Sequence, residues 1–446
     1  MLTLPFQILG LWFRGLLAVA ILGGAAYLLA RWYDESRVSD PAPAVASAET
    51  APAPAAAPDR PGVAPGDARP TDQPGTAAAG APRLRQFRFD PGWNKPTALL
   101  ASGLTLLAWG TLGRLIARGV VGLIKPRPKQ VAGGGTDSPR AERTGEVHWV
   151  DRPDGSRLRV ECYGPADAPP IVMTHGWGGN SIAFFYPKHS LTDRFRVIVW
   201  DEPGLGLSKK PDNNDYRLEK MAEDLKAVLA FAGRPAILLG HSIGGMIVLT
   251  FCRLYGATLR DHAAGLVLVH TTYKDPVRTT KGATIYTLLE KPVLVPMMYV
   301  TIGLYPIFWA LTWLSYWNGS LHRSTAKSSF AGTETKDQLD FCTSWTPRAR
   351  PDIVARGMLG MMAYDATATL PTIDVPTLTV VGDKDTTTPP EAGQYIAVHV
   401  PDAELATLAP ARHMGLIEQH RTFDPLVARF ADRCFLPRTE ARIVAP

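Results

Sequence analysis

Five residues near the middle of the chain, Gly240-His241-Ser242-Ile243-Gly244, have the make-up of a nucleophile on a tight turn. They follow the apolar run Ala236–Leu239 and precede a helical pattern. A serine at a sharp strand-to-helix turn is forced into strained backbone angles and brings neighbouring chain close. Only small residues then fit two before and two after it, while the hydroxyl stands exposed at a helix N-terminus. There the backbone N–H of Ile243 can face a developing oxyanion. A serine that merely capped the helix would need neither the flanking glycines nor His241.

A serine nucleophile needs a base, and the base needs an orienting acid. The β-branched run Thr377–Val381 leads into Gly382-Asp383-Lys384-Asp385, and a strand-like run, Ala403–Ala409, leads into Pro410-Ala411-Arg412-His413-Met414-Gly415. Ser242, Asp385 and His413 thus occur in that order, each just after a predicted strand at one edge of a sheet. Of the ten histidines, His175 and His241 are expected to support the site rather than act as bases, and His262 and His270 have no motif to recommend them.

At these residues the chain resembles the α/β-hydrolase family, over roughly Val147 to Phe435. The resemblance extends to His175-Gly176-Trp177-Gly178-Gly179 after the strand Ile171–Thr174, and to Asp201-Glu202-Pro203-Gly204-Leu205-Gly206-Leu207-Ser208 after Val197–Trp200. It implies a catalytic triad of Ser242, Asp385 and His413. It also implies an oxyanion hole made by the backbone N–H groups of Trp177 and Ile243. For the acid it favours Asp385, with Asp383 second and Asp275, after the strand Ala264–His270, as a more distant alternative. The Asp201–Ser208 turn reads as structural: its glycines permit the tight loop and Asp201 ties it down.

The elements around these residues define the fold class. Short apolar strands at 171–174, 197–200, 236–239, 264–270, 377–381 and 403–409 suit a sheet buried on both faces. Helical patterns such as Leu218–Ala232 and Ile243–Tyr255 lie between most of them. Glu146–Asp151 and Arg157–Tyr163 read as a hairpin turning at Asp154-Gly155. The expectation is an α/β protein with a mostly parallel central sheet, helices on both faces, a helical cap and N-terminal membrane helices. Core residues 146–270 and 371–438 flank a cap over 271–370, where no strand recurs. The cap is rich in bulky residues, among them Tyr286, Met298, Tyr299, Phe308, Tyr316 and Trp317. These could line a deep apolar pocket, pack the lid onto the core, or dip into lipid.

The chain has 446 residues and a formal charge of +6, more length than one ordinary domain needs. Residues 1–33 read as an uncleaved transmembrane anchor in which Arg14 is the one charge before Arg31. A signal peptide cleaved near Ala46-Ser47-Ala48 is the rival, but that site lies too far from the apolar run. Residues 34–96 form an Ala/Pro-rich flexible linker, 97–124 a second transmembrane or interfacial helix, and 125–145 a basic linker. Arg114 and Arg118 lie one turn apart, able to snorkel toward headgroups. Lys125, Arg127, Lys129, Arg140 and Arg143 then predict a cytoplasmic catalytic part if both segments cross.

The chemistry implied is hydrolysis of a carboxylic ester with an apolar acyl or alcohol part, through an acyl-enzyme. A serine at the nucleophile position argues against epoxide and haloalkane hydrolysis, for which family members carry an aspartate. An acyltransferase using the same triad, or a ligand-sensing protein of the same fold, is the alternative. No cofactor or metal is implied: the four cysteines are scattered and form no metal-ligand spacing. The expected partners are a small-molecule ester or lipid and a membrane. No finger spacing or aromatic-interleaved basic patch points to nucleic acid.

Overall fold

The computed structural model describes residues 4–36, 94–127 and 137–436. The spacer expected over 34–96 thus lies almost wholly outside the described residues, as do residues 128–136 of the basic linker.

Eight strands form one sheet: β1 (Glu146–Asp151), β2 (Arg157–Tyr163), β3 (Pro170–Thr174), β4 (Arg196–Trp200), β5 (Ala236–His241), β6 (Ala263–Val269), β7 (Thr377–Gly382) and β8 (Ala403–Leu408). Their spatial order is β1-β2-β4-β3-β5-β6-β7-β8. The first two pairings are antiparallel and every later one is parallel. Parallel strands need helical crossovers, which cover both faces and leave β3, β5 and β7 buried along their whole length. The two-residue period sorts the side chains. Val172, Ile198, Leu238 and Leu266 join the core on one face, and Ile171, Val197, Ile237 and Val267 that on the other.

Between β6 and β7 the chain is helical from Pro276 to Met362, interrupted by short turns and a loop. Three segments are long and apolar enough to cross a membrane: Trp12–Glu35, Lys95–Ile124 and Ala283–Gly303. The third belongs to the cap. Its Leu294 and Met298 are buried in the main core, and Glu290 and Lys291 interrupt it midway.

By its internal contacts the chain divides into two units, residues 1–22 with 107–446, and residues 23–106. In the smaller unit, Gly103 lets Leu29 approach: a Cβ there would lie 2.8 Å from Leu29 Cγ. Glu35 pairs with Lys95 at 2.9 Å and with Arg31 at 2.6 Å. In the larger unit, Arg114 and Arg118, expected to reach headgroups, are held by protein, as are Lys125 and Arg143. The Arg114 guanidinium lies 4.2 Å from the Tyr316 ring centroid, and Arg118 Nε pairs with Asp340 Oδ2 at 2.8 Å. Lys125 pairs with buried Glu334 at 2.7 Å. Arg143 bridges Glu161 at 2.5 Å and Asp201 at 3.0 Å. Three of these four cations thus meet a carboxylate of the cap or the core, and Arg114 meets an aromatic face.

Helix His420–Phe435 buries Asp424 against the core, where Oδ2 accepts from Ser190 Oγ at 2.6 Å and Oδ1 has no partner. Burial pushes this carboxyl from 3.8 up to about 7, against the Ser190 bond that favours the charged form. A raised folded-state pKa means the contribution to stability is full below the ordinary carboxylate range and is lost as pH rises through the folded value. Asp424→Asn keeps the acceptor without the charge. Its thermal midpoint should exceed that of the wild type by a margin that widens from about pH 4 to about pH 7 and then levels. A margin independent of pH, measured by thermal unfolding in detergent, would contradict this account.

Candidate active site

Ser242 sits between β5 and helix Ile243–Tyr255 with φ 56° and ψ −118°. A non-glycine residue held there stores about 1–3 kcal/mol of strain, so its surroundings must over-determine it. They do. A Cβ on Gly240 would lie 2.3 Å from Gly244 O, and one on Gly244 would lie 2.2 Å from Thr174 O. Ser242 N donates to Val269 O at 2.9 Å, and Thr271 Oγ1 donates to Ser242 O at 2.6 Å.

The structure brings Ser242, His413 and Asp385 into one hydrogen-bonded chain. His413 Nε2 lies 3.0 Å from Ser242 Oγ, and Nδ1 lies 2.9 Å from Asp385 Oδ2. With the proton on Nδ1, Nε2 is free to accept from the serine hydroxyl. Asp385 Oδ1 accepts from the N–H groups of Thr387 at 2.8 Å and Thr388 at 3.2 Å. Burial raises the Asp385 carboxyl, but the charge of His413 and contacts from His270 and His413 outweigh it and hold the group far below its usual range.

The other acids lie elsewhere. Asp383 Oδ1 accepts from Ala411 N at 2.8 Å and so braces the loop that carries His413. Asp275 caps the short helix Pro276–Thr279 through Val277 N. The two supporting histidines have both a place and a protonation state. His241 Nε2–H donates to His413 O at 2.9 Å, and burial, with His413 and His270 nearby, holds this ring well below the ordinary histidine range. His175 Nδ1–H donates to Gly176 O at 2.9 Å while Nε2 accepts from Glu202 N at 3.0 Å. In the Asp201–Ser208 turn, Asp201 Oδ2 accepts from Leu207 N at 2.8 Å.

Sequence reasoning passed over three residues. His270 is fully buried with φ 45°, and its Nδ1 stands 3.4 Å from Asp385 Oδ2 without making a hydrogen bond. Thr388 Oγ1 lies 2.9 Å from Asp385 Oδ2 and 3.2 Å from His413 Nδ1, and Thr271 holds the serine carbonyl. No motif marks them. Their one sequence signal is position: His270 and Thr271 directly follow β6, at the carboxyl edge where open parallel sheets collect ligands.

Trp177 follows β3, and its Nε1 donates to Val354 O at 2.9 Å. Its ring packs against Gly357 and edge-on to Tyr216. Among the described residues, the backbone N–H groups of Trp177 and Ile243 have no protein acceptor. A cavity of about 210 Å³ opens over Ser242 and His413 and is lined by Trp177, Trp345, Val354 and Met414. The bulky cap residues named from the sequence are not among those that line it. Met298, Phe308 and Tyr316 are buried in packing, while Tyr299 and Trp317 face outward. The cap lines the cavity with Leu321, Trp345 and Val354 and with hydroxyls, including those of Thr301, Thr312 and Ser324.

Residues 169–290 match the alpha/beta hydrolase fold family. The chain has the α/β-hydrolase fold. It is similar to proline iminopeptidase PfmaB of Pestalotiopsis fici, 28% identical over 60% of this chain and 93% of that protein. Two solved structures share the fold. A thermophilic esterase from Thermogutta terrifontis, 23% identical, covers 65% of this chain and all of its own at a TM-score of 0.54. An enol-lactonase from Burkholderia xenovorans, 20% identical, covers 64% of this chain and all of its own at 0.52. The unmatched remainder of the chain includes both long N-terminal helices, which precede the matched residues 169–290.

Gly357 tests how tightly Trp177 is held. An alanine Cβ there would lie 2.0 Å from Trp177 Cζ2. Gly357→Ala should cost about 1–3 kcal/mol of stability through overpacking. Gly256→Ala, with nothing within 4 Å, serves as the neutral control. Equal denaturation midpoints for the two variants would show that the indole is free to move.

Proposed function

We propose that this protein is a serine hydrolase that cleaves a carboxylic ester with an apolar acyl or alcohol part. Ser242 acts as nucleophile, His413 as general base and then acid, and Asp385 as the group that orients the imidazole. The reading is carried above all by the contacts of His413, 3.0 Å to Ser242 Oγ on one side and 2.9 Å to Asp385 Oδ2 on the other. His413 takes the serine proton as Oγ attacks the carbonyl, and Asp385 stabilises the imidazolium that results. The N–H groups of Trp177 and Ile243 receive the oxyanion. His413 then protonates the leaving alcohol and deprotonates the water that releases the acid. Trp345, Val354, Leu321 and Met414 supply apolar surface in the cavity for the chain of the ester.

The similar proteins bear on the reaction class. A proline iminopeptidase, an esterase and an enol-lactonase all carry hydrolytic names. In the same reading the two long N-terminal helices hold the enzyme at a membrane. The basic residues after the second helix, Arg127 and Lys129 among them, favour the cytoplasmic side for the catalytic part.

A fluorophosphonate probe should label the full-length protein and fail to label Ser242→Ala. Labelling that persists in Ser242→Ala would remove Ser242 as the nucleophile, and absence of labelling in folded wild type would remove the hydrolase reading. Asp385→Asn should lower kcat on a short nitrophenyl ester by roughly a thousandfold or more, because the imidazole loses its orienting charge. Asp383→Asn preserves an acceptor for Ala411 N and should stay within about tenfold of wild type. The reverse ranking would transfer the acid's role to Asp383.

A further inference from the structure

The cavity over Ser242 also contains the guanidinium of Arg14, carried on the first long apolar helix. Residues 12–18 fix how that helix meets the cap. Trp12 stacks on Phe308 with centroids 4.7 Å apart, and its Nε1 donates to Thr301 Oγ1 at 3.3 Å. Gly15 lies so close to the cap that a Cβ would stand 2.8 Å from Leu311 Cβ. Ala18 is buried on the same side, while Phe13, Leu16 and Leu17 face outward. This register turns Arg14 into the protein, where Nη1 donates to Ser324 Oγ at 2.8 Å.

That single hydroxyl does not satisfy the group. A guanidinium offers five N–H donors and a full charge. Its Nε is buried without an acceptor, and no ion pair to Arg14 occurs among the described residues. Among the described residues, no aspartate or glutamate lines the cavity. Arg118 shows the contrast, seated on a carboxylate, while Arg114, whose Nε is likewise buried without an acceptor, at least has its charge over an aromatic ring. Arg14 as a whole is half-buried, and a charge partly withdrawn from water on an apolar helix, with no counter-charge beside it, is functional by default. The missing counter-charge fits a ligand better than it fits the fold.

We propose that Arg14 binds an oxyanion, a carboxylate or a phosphate, carried by the same molecule whose ester carbonyl is presented to Ser242. The inference rests on the hydrolase reading and narrows its substrate class to an anionic amphiphile. Ser324 Oγ accepts from Arg14, so its own O–H can be donated to the same anion. The planar fork of the guanidinium matches two oxygens of either group. Because Arg14 comes from the N-terminal helix, the specificity pocket is complete only when that helix is seated on the cap.

The test uses the full chain in detergent and pairs of nitrophenyl esters of equal length. One member of each pair is neutral; the other ends in a carboxylate, as in mono-nitrophenyl glutarate and its longer homologues, or in a phosphonate. Arg14→Gln should lower the anionic-to-neutral ratio of kcat/KM by about ten- to a hundredfold, mostly through KM, with Arg14→Lys intermediate. The carboxylate and phosphonate series separately report which oxyanion is preferred. An unchanged ratio, including a parallel fall on both members, would assign Arg14 to helix packing alone and overturn the proposal. If fluorophosphonate labels nothing and no ester is turned over, the hydrolase reading fails by itself. Arg14 is then read by binding: glutarate or inorganic phosphate should raise the thermal midpoint of wild type and not of Arg14→Gln. No difference between the two proteins would sink the inference as well.

Discussion

A pinched backbone at Ser242 governs the rest of the catalytic half. The serine holds φ 56° because Gly240, Gly244 and Thr174 crowd around it at distances no side chain could share. Such a turn survives only where neighbouring elements over-determine it. The parallel pairing of β5 with β3 and β6 supplies that constraint, and it also sets where everything else can stand. Loops leaving the carboxyl ends of β3, β7 and β8 converge on the same edge, each bringing one chemical component.

Around this turn the polar groups are buried, and burial makes their bonding decisive. A carboxylate left unpaired in the interior would protonate or force the chain apart. Asp385 avoids this with two backbone N–H groups, a threonine hydroxyl and an imidazole. Asp383 spends its carboxylate on Ala411 N, which holds the histidine loop in place. His241 reaches the carbonyl of His413 from the strand side. His413 is therefore located by its backbone as well as by its ring, so its approach to Ser242 does not depend on one contact.

The cap and the first helix follow a different logic. Their apolar residues are interchangeable in kind, and their packing leaves some buried and others facing outward. What distinguishes them is the polar minority: hydroxyls turned toward the cavity and a guanidinium without an anion. Trp12 and Gly15 act as a latch and a close-approach point, and together they set which way Arg14 faces. The N-terminal helix is on this account part of the binding site as well as an apolar segment long enough to cross a bilayer.

Local pattern was enough for the sheet and for the order of its chemical residues. Strand runs, the glycines beside Ser242 and the positions of Asp385 and His413 depend on backbone sterics and a two-residue period, which are written along the chain. Contacts between distant segments are not. Whether Asp385 or Asp383 meets the imidazole depends on how a loop folds back over β8, and both acids look alike in a tetrapeptide. His270 and Thr388 lie more than a hundred residues apart, so only the β6–β7 pairing brings them beside the acid. Arg14 reads in sequence as a lone charge near an anchor, and Arg114 and Arg118 read as headgroup contacts. Tertiary packing alone turned the first toward the cavity and the others onto the cap, because the direction of a side chain on an apolar helix is chosen by its neighbours.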